Sequence, residues 1–293
     1  MKQYKIFILL FAVAVLAVSC DKDPEFEPGH YQYENRDLTY LENIGGMLIH
    51  WKDGVTEEQK VAVREIAASM VQVDGGTFMM GAEYGFSQAD EAPIHQVTLT
   101  SFKMAKFTVT QFQWRAIMGY GLDWNPVFGL GDDYPATNMS MGDVDAFIAK
   151  LNQLSNLKFR KPTEAQWEYA ARGGQKSHGY LYSGSDNHEE VAWCQDNANY
   201  MLHPSGLLQP NELGLYDMSG NIWEWCEDRY APYPAIAQTD PVQVTSGTGR
   251  VVRGGSYSCG SNSSQVSARN HLDPSTQSFV VGLRLVMNDL ISY

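Results

Sequence analysis

The chain is predicted to be an α+β protein with low regular secondary structure. Capped amphipathic helices collect in its first half, and short β segments lie between them and near residue 287. A long stretch at about 174–280 is rich in Gly, Ser, Asn, Asp and Tyr and lacks periodicity. With 293 residues and 44% apolar content, the chain has material for one substantial core.

Residues 1–19 read as a leader. Lys2 and Lys5 precede an unbroken apolar run from Ile6 to Val18, too short to span a bilayer comfortably, and small Ser19 comes just before Cys20. Ala17-Val18-Ser19-Cys20 resembles a bacterial lipobox, with Ala17 where Leu is usual. The implied product is a lipoprotein held to a membrane through lipid on Cys20, in the cell envelope and either periplasmic or surface-exposed. Ordinary secretion is the alternative. Residues 20–54, polar and punctuated by Pro24 and Pro28, read as a tether.

A leading helix is expected over 55–70, where Thr56 and Gln59 have capping-box spacing and Val63, Ile66 and Met70 share a face. The main domain is expected over 71–290. Within it, helices should start at Thr110, with Gln113 three residues on, near Ser140, and at Thr163, with Gln166 three residues on and Gly173 as the stop. Strands are expected within 71–80, 95–107 and 282–287. A loop-rich half of the length seen after residue 174 is held in other proteins by function or by bound ions.

The net charge of −13 becomes more negative once Lys2 and Lys5 leave with the leader. That argues against nucleic acid and against anionic membrane surfaces as partners, and is compatible with calcium. Cys194, Cys226 and Cys259 have no zinc-motif spacing, and the seven histidines do not cluster in sequence. An oxidising compartment permits one disulfide among the three thiols.

Two stretches carry candidate chemistry. In Asp217-Met218-Ser219-Gly220-Asn221-Ile222-Trp223-Glu224, two carboxylates bracket a glycine turn, so side chains and backbone carbonyls could face one point. Such hard oxygen ligands suit calcium, and a capped turn with solvated acids is the alternative. In Arg253-Gly254-Gly255-Ser256-Tyr257-Ser258-Cys259, a thiol follows a flexible glycine pair. It reads either as a nucleophile or soft-metal ligand, or as a structural or disulfide-bonded cysteine.

Several runs, in order, resemble the formylglycine-generating enzyme, or sulfatase-modifying factor, family: Gly75–Gly81, Pro162–Gly174, Leu213–Trp225, Arg253–Ser256 and Gly282-Leu283-Arg284. The resemblance implies a C-type-lectin-like sulfatase-modifying-factor fold whose loops are stiffened by calcium. The implied calcium ligands are Asp217, the carbonyls of Gly220 and Ile222, and Glu224. Active members oxidise a sulfatase cysteine to formylglycine, using oxygen and copper(I) held by two cysteines. The first of these falls on Cys259, but the second falls on Ser264, and a neutral hydroxyl does not replace a thiolate for copper(I). Copper is therefore not expected. An asparagine that the family carries before its terminal Gly-Phe-Arg is also absent, since Val280 and Val281 precede Gly282. Ser256, Trp223 and Arg269 still match pocket positions. The expectation is a binding or scaffold module that meets a protein or peptide partner through the 258–278 loop face. The alternative is an oxidoreductase working with altered ligands.

Overall fold

The structure, a computed structural model, describes residues 32–33, 36–37, 41–83 and 88–288. The leader, Cys20 and most of the expected tether lie outside these residues. No helix among the described residues is long and apolar enough to cross a membrane.

The expected tether over 20–54 is corrected at its C-terminal end. Leu41–Ile44 and Met47–His50 form a two-stranded hairpin, and Met47, Ile49 and Trp51 are buried in the same apolar cluster as Ala62, Val63 and Ile66 of the first helix. The apolar side chains at 47, 49 and 51 alternate with exposed Leu48 and His50, the period of a half-buried strand.

Each expected helix begins at its capping residue. Helices run over Glu57–Ala68, Gln111–Met118, Met141–Ser155 and Glu164–Ala171, each preceded by a reciprocal capping box, at Thr56/Gln59, Thr110/Gln113, Ser140/Asp143 and Thr163/Gln166. In each box the hydroxyl accepts the N3 amide proton and the N3 side chain reaches back to the cap amide, which satisfies two otherwise unpaired donors. Trp114 and Phe147 stack with ring centroids 5.0 Å apart, joining the second and third helices.

Three sheets hold the helices. Met70–Val73, Phe102–Ala105, Val286–Asn288 and Phe159–Arg160 form an antiparallel sheet that brings the two ends of the domain together. Gly76–Met80, His95–Leu99 and Gln238–Thr239 form a second. The third, ordered Arg269–Leu272, Thr248–Arg253, Trp223–Tyr230, Val281–Gly282, lies mostly within the stretch that the sequence marks as loop-rich. Its central strand is hidden from a period-based reading because Trp223, Glu224, Trp225 and Cys226 are all buried, leaving no polar alternation. Trp223 and Trp225 fill one apolar cluster and Cys226 another.

Candidate functional site

The Glu164–Ala171 helix is buried along its whole length, although it carries Glu164, Gln166 and Glu168. Its carboxylates are met by arginines from the third sheet. Arg253, with no exposed surface, donates to Glu168 at 2.6 Å and lies over the Trp167 ring. Arg269 grips Glu164 through two bonds of 2.8 and 2.7 Å, and its guanidinium lies 3.9 Å from the Tyr233 ring centroid. Tyr233 also donates its hydroxyl to Glu164, and Arg172 pairs with Glu168. Burial works to raise the Glu168 carboxyl, but Arg172 and Arg253 overrule it and hold the group below the usual carboxylate range. Asp228, buried nearby, accepts the Glu164 amide proton, and burial together with the Glu164 charge pushes its carboxyl up to about 7.

A second buried ion pair joins this lattice through Trp167. The indole donates to Oε2 of Glu224 at 2.7 Å. Arg284 donates to the same carboxylate through Nε at 3.0 Å and Nη2 at 2.7 Å, and also to the carbonyls of Ala105, Lys106 and Tyr216. Neither Glu224 nor Arg284 has exposed surface.

This arrangement bears on the implied calcium ligands. Glu224 is already neutralised by a guanidinium and is not a free ligand. Asp217 differs. It is buried, accepts the Gly206 amide proton at 2.8 Å, and burial pushes its carboxyl up to about 6 despite that bond. A hard cation beside Asp217 would favour the ionised form that burial penalises, so this carboxylate fits calcium where Glu224 does not. Gly220 turns the chain at φ +76°, and a Cβ there would lie 2.3 Å from the Trp193 carbonyl, so only glycine permits the approach.

The thiol stretch folds tightly. Gly255 sits at φ +79° with Ser264 Oγ 2.5 Å from where its Cβ would be, so the expected flexible glycine pair is instead a close contact. The Sγ of half-buried Cys259 lies 3.1 Å from Ser256 Oγ, and the Cys259 carbonyl accepts the Gln195 amide proton at 2.8 Å. Ser264 is fully buried and its Oγ has no hydrogen-bond partner. Cys194, Cys226 and Cys259 are all free thiols.

Ser256 and Cys259 therefore meet, and Cys259 packs against the apolar cluster that contains Trp223. Trp223 is 5% exposed and packs into the core. Arg269 lines a cavity of about 290 Å³ with Glu164, Asp228 and Tyr233, a set that includes neither Ser256 nor Cys259.

Against known proteins, the profile of the family described as "sulfatase-modifying factor enzyme 1-like domain" matches residues 55–289. The chain belongs to this family. It is 29% identical to the chaperone protein LppX of Paenibacillus barcinonensis, over 75% of this chain and 90% of that protein. It is 27% identical to a formylglycine-generating enzyme of Thermomonospora curvata, over 78% of this chain and 96% of that enzyme. Among solved structures it is similar to PvdO of Pseudomonas aeruginosa, with a TM-score of 0.64 and 25% identity over 75% of this chain and 94% of that one. The α+β architecture with little regular secondary structure is thus the sulfatase-modifying-factor fold.

Within the family frame, the motif carboxylates and arginines are parts of a buried lattice. Glu164, Glu168, Arg253 and Arg284 carried no functional expectation from composition or spacing, and their only advance signal was membership of the matching motifs. Folding also brings together His188, Cys194 and Asp196, which no motif spacing marks.

Proposed function

We propose that this chain is a cell-envelope lipoprotein, anchored through Cys20, whose sulfatase-modifying-factor domain binds a protein or peptide partner and does not generate formylglycine in the standard way. The observation that carries this reading is the pair Cys259 and Ser264. One position offers a sulfur and the other a buried, unpartnered hydroxyl. Copper(I) takes soft thiolate ligands, and one sulfur with a neutral oxygen gives it little affinity. The name of the Paenibacillus relative, a chaperone protein, supports a role in engaging another polypeptide.

The proposed contact surface is the 258–278 face, where Asn270, His271, Asp273, Ser275 and Gln277 are exposed around a strand edge. Short polar side chains of this kind adapt their hydrogen bonds to a partner backbone. His271 is held by stacking on Tyr230, with ring centroids 4.2 Å apart, so one element of the face is pre-positioned. Calcium at Asp217 would stiffen the turn that leads into the Trp223–Tyr230 strand, supplying positive charge without redox chemistry.

Two experiments test the reading. A crosslinking pull-down from envelope extracts with the full chain should recover a partner that is lost when Asn270, His271 and Gln277 are changed together to Ala. Recovery of nothing beyond background, or of the same proteins by the variant, overturns the binding role. Incubation with a sulfatase-type cysteine peptide, oxygen and copper(I) should yield no aldehyde. An aldehyde that disappears in Cys259→Ser would establish the oxidoreductase instead.

A further inference from the structure

Outside the sites above, three side chains of metal-ligating type converge. His188 opens the short His188–Val191 helix, and Cys194 and Asp196 follow the two-residue strand Ala192–Trp193. Nε2 of His188 lies 3.6 Å from Oδ2 of Asp196, Sγ of Cys194 lies 3.7 Å from the same oxygen, and the three ligand atoms all lie within 4.8 Å of one another. A tetrahedral zinc ion, with bonds of about 2.0 Å to nitrogen and oxygen and about 2.3 Å to sulfur, separates its ligand atoms by roughly 3.3–3.5 Å. Shifts of a few tenths of an ångström in the Asp196 contacts, with a larger one closing any wider gap, would bring the set to that spacing.

Two further observations point to a ligand. Nε2 of His188 is buried and has no hydrogen-bond partner, an arrangement that costs free energy unless something fills it. The cluster also grades from interior to solvent, with Cys194 fully buried and the Asp196 side chain 50% exposed, so an ion can enter from the aspartate side. The backbone around the ligands is fixed in advance. Asn187 caps the helix that carries His188, Asn197 Oδ1 accepts the Cys194 amide proton at 2.9 Å, and the Cys194 carbonyl accepts the Ala198 amide proton at 2.8 Å.

We propose that His188, Cys194 and Asp196 bind a borderline divalent transition metal of the zinc class, with its fourth position open to solvent. One thiolate, one imidazole and one carboxylate form a mixed-softness donor set that suits zinc better than calcium or copper(I). The site is separate in residues and in chemistry from Asp217, and does not rest on the proposed partner-binding role. Its position gives it a structural effect. Gln195, between two of the ligands, donates its amide proton to the Cys259 carbonyl, so the bound ion would brace the start of the 258–278 face.

The test is cobalt(II) titration of the full chain, kept reduced with a phosphine. Wild type should take up one ion per chain, with a thiolate-to-cobalt charge-transfer band and tetrahedral d–d bands that zinc displaces. Cys194→Ser should lose the charge-transfer band, His188→Ala and Asp196→Asn should each weaken binding at least about tenfold, and Cys226→Ser and Cys259→Ser should bind as wild type does. A wild-type chain that gives no saturable band, or a band that persists in Cys194→Ser and vanishes in Cys259→Ser, overturns the site. If Cys194→Ser does not fold, the partly exposed Asp196 decides, and unchanged affinity in Asp196→Asn overturns it.

Discussion

Replacing Arg284 by Met is the sharpest test of the buried lattice. Methionine keeps most of the volume and removes the guanidinium, so Glu224 is left as a buried carboxylate whose remaining described partner is the Trp167 indole. Breaking one side of a buried ion pair costs about 3–5 kcal/mol. The carbonyls of Ala105, Lys106 and Tyr216 lose a donor as well, at about 0.5–1.5 kcal/mol each, less for Lys106, whose carbonyl keeps the Tyr216 amide. The total is about 4–9 kcal/mol, comparable to the whole stability of many domains. At about 2–4 °C per kcal/mol for a domain of this size, the midpoint of thermal unfolding should drop by at least about 8 °C. Urea unfolding followed by tryptophan fluorescence gives the free energy directly. Adding Glu224→Gln to Arg284→Met should recover part of the loss, because the stranded charge goes with it. A loss under about 1.5 kcal/mol for Arg284→Met, or strict additivity in the double variant, would refute the lattice as a source of stability.

Further outcomes follow from the same geometry. Asp228 is pushed up to about 7, so the folded state holds its proton more tightly than the unfolded chain does. Its contribution is present below pH about 4 and is lost as pH rises to about 7, and Asp228→Asn should flatten that fall by roughly 4 kcal/mol in a pH series of urea midpoints. Gly255→Ala should cost at least about 2 kcal/mol by thermal unfolding, since it combines a positive φ with contacts of 2.5 Å to Ser264 Oγ and 2.7 Å to the Ser263 carbonyl. Ser264→Cys should confer copper(I) binding that survives a competing chelator which strips the wild type. Calcium should raise the melting temperature more at pH 7 than at pH 5, because Asp217 is pushed up to about 6, and Asp217→Asn should abolish that difference.

The helical half was legible from residue to residue. A hydroxyl followed three positions later by Gln or Asp satisfies local backbone donors, and all four expected helices begin on such a pair. The central strand of the third sheet was not legible, because burial on both faces erases the alternation that marks a half-exposed strand. Charge misled in the same region. Glu164, Glu168, Arg253 and Arg284 are residue types found mostly at surfaces, and their burial depends on partners 60 to 105 residues away in sequence. The resemblance identified the motifs that supply these groups, but not the tertiary pairing of Arg269 with Glu164 and of Arg284 with Glu224. His188, Cys194 and Asp196 fit no spacing rule because a helical turn and a two-residue strand intervene.

The enclosed Glu164–Ala171 helix also constrains how the chain comes to be folded. Its two carboxylates are made from the middle of the message, while Arg253 and Arg269 follow much later, and Arg284, which completes the bracing through Glu224 and Trp167, is translated last of all. Until that arginine has emerged, desolvating the helix would strand negative charge in an apolar interior, so premature closure is disfavoured. Such long-range closure is slow, and under the proposed envelope location that delay would favour export of the chain before it folds.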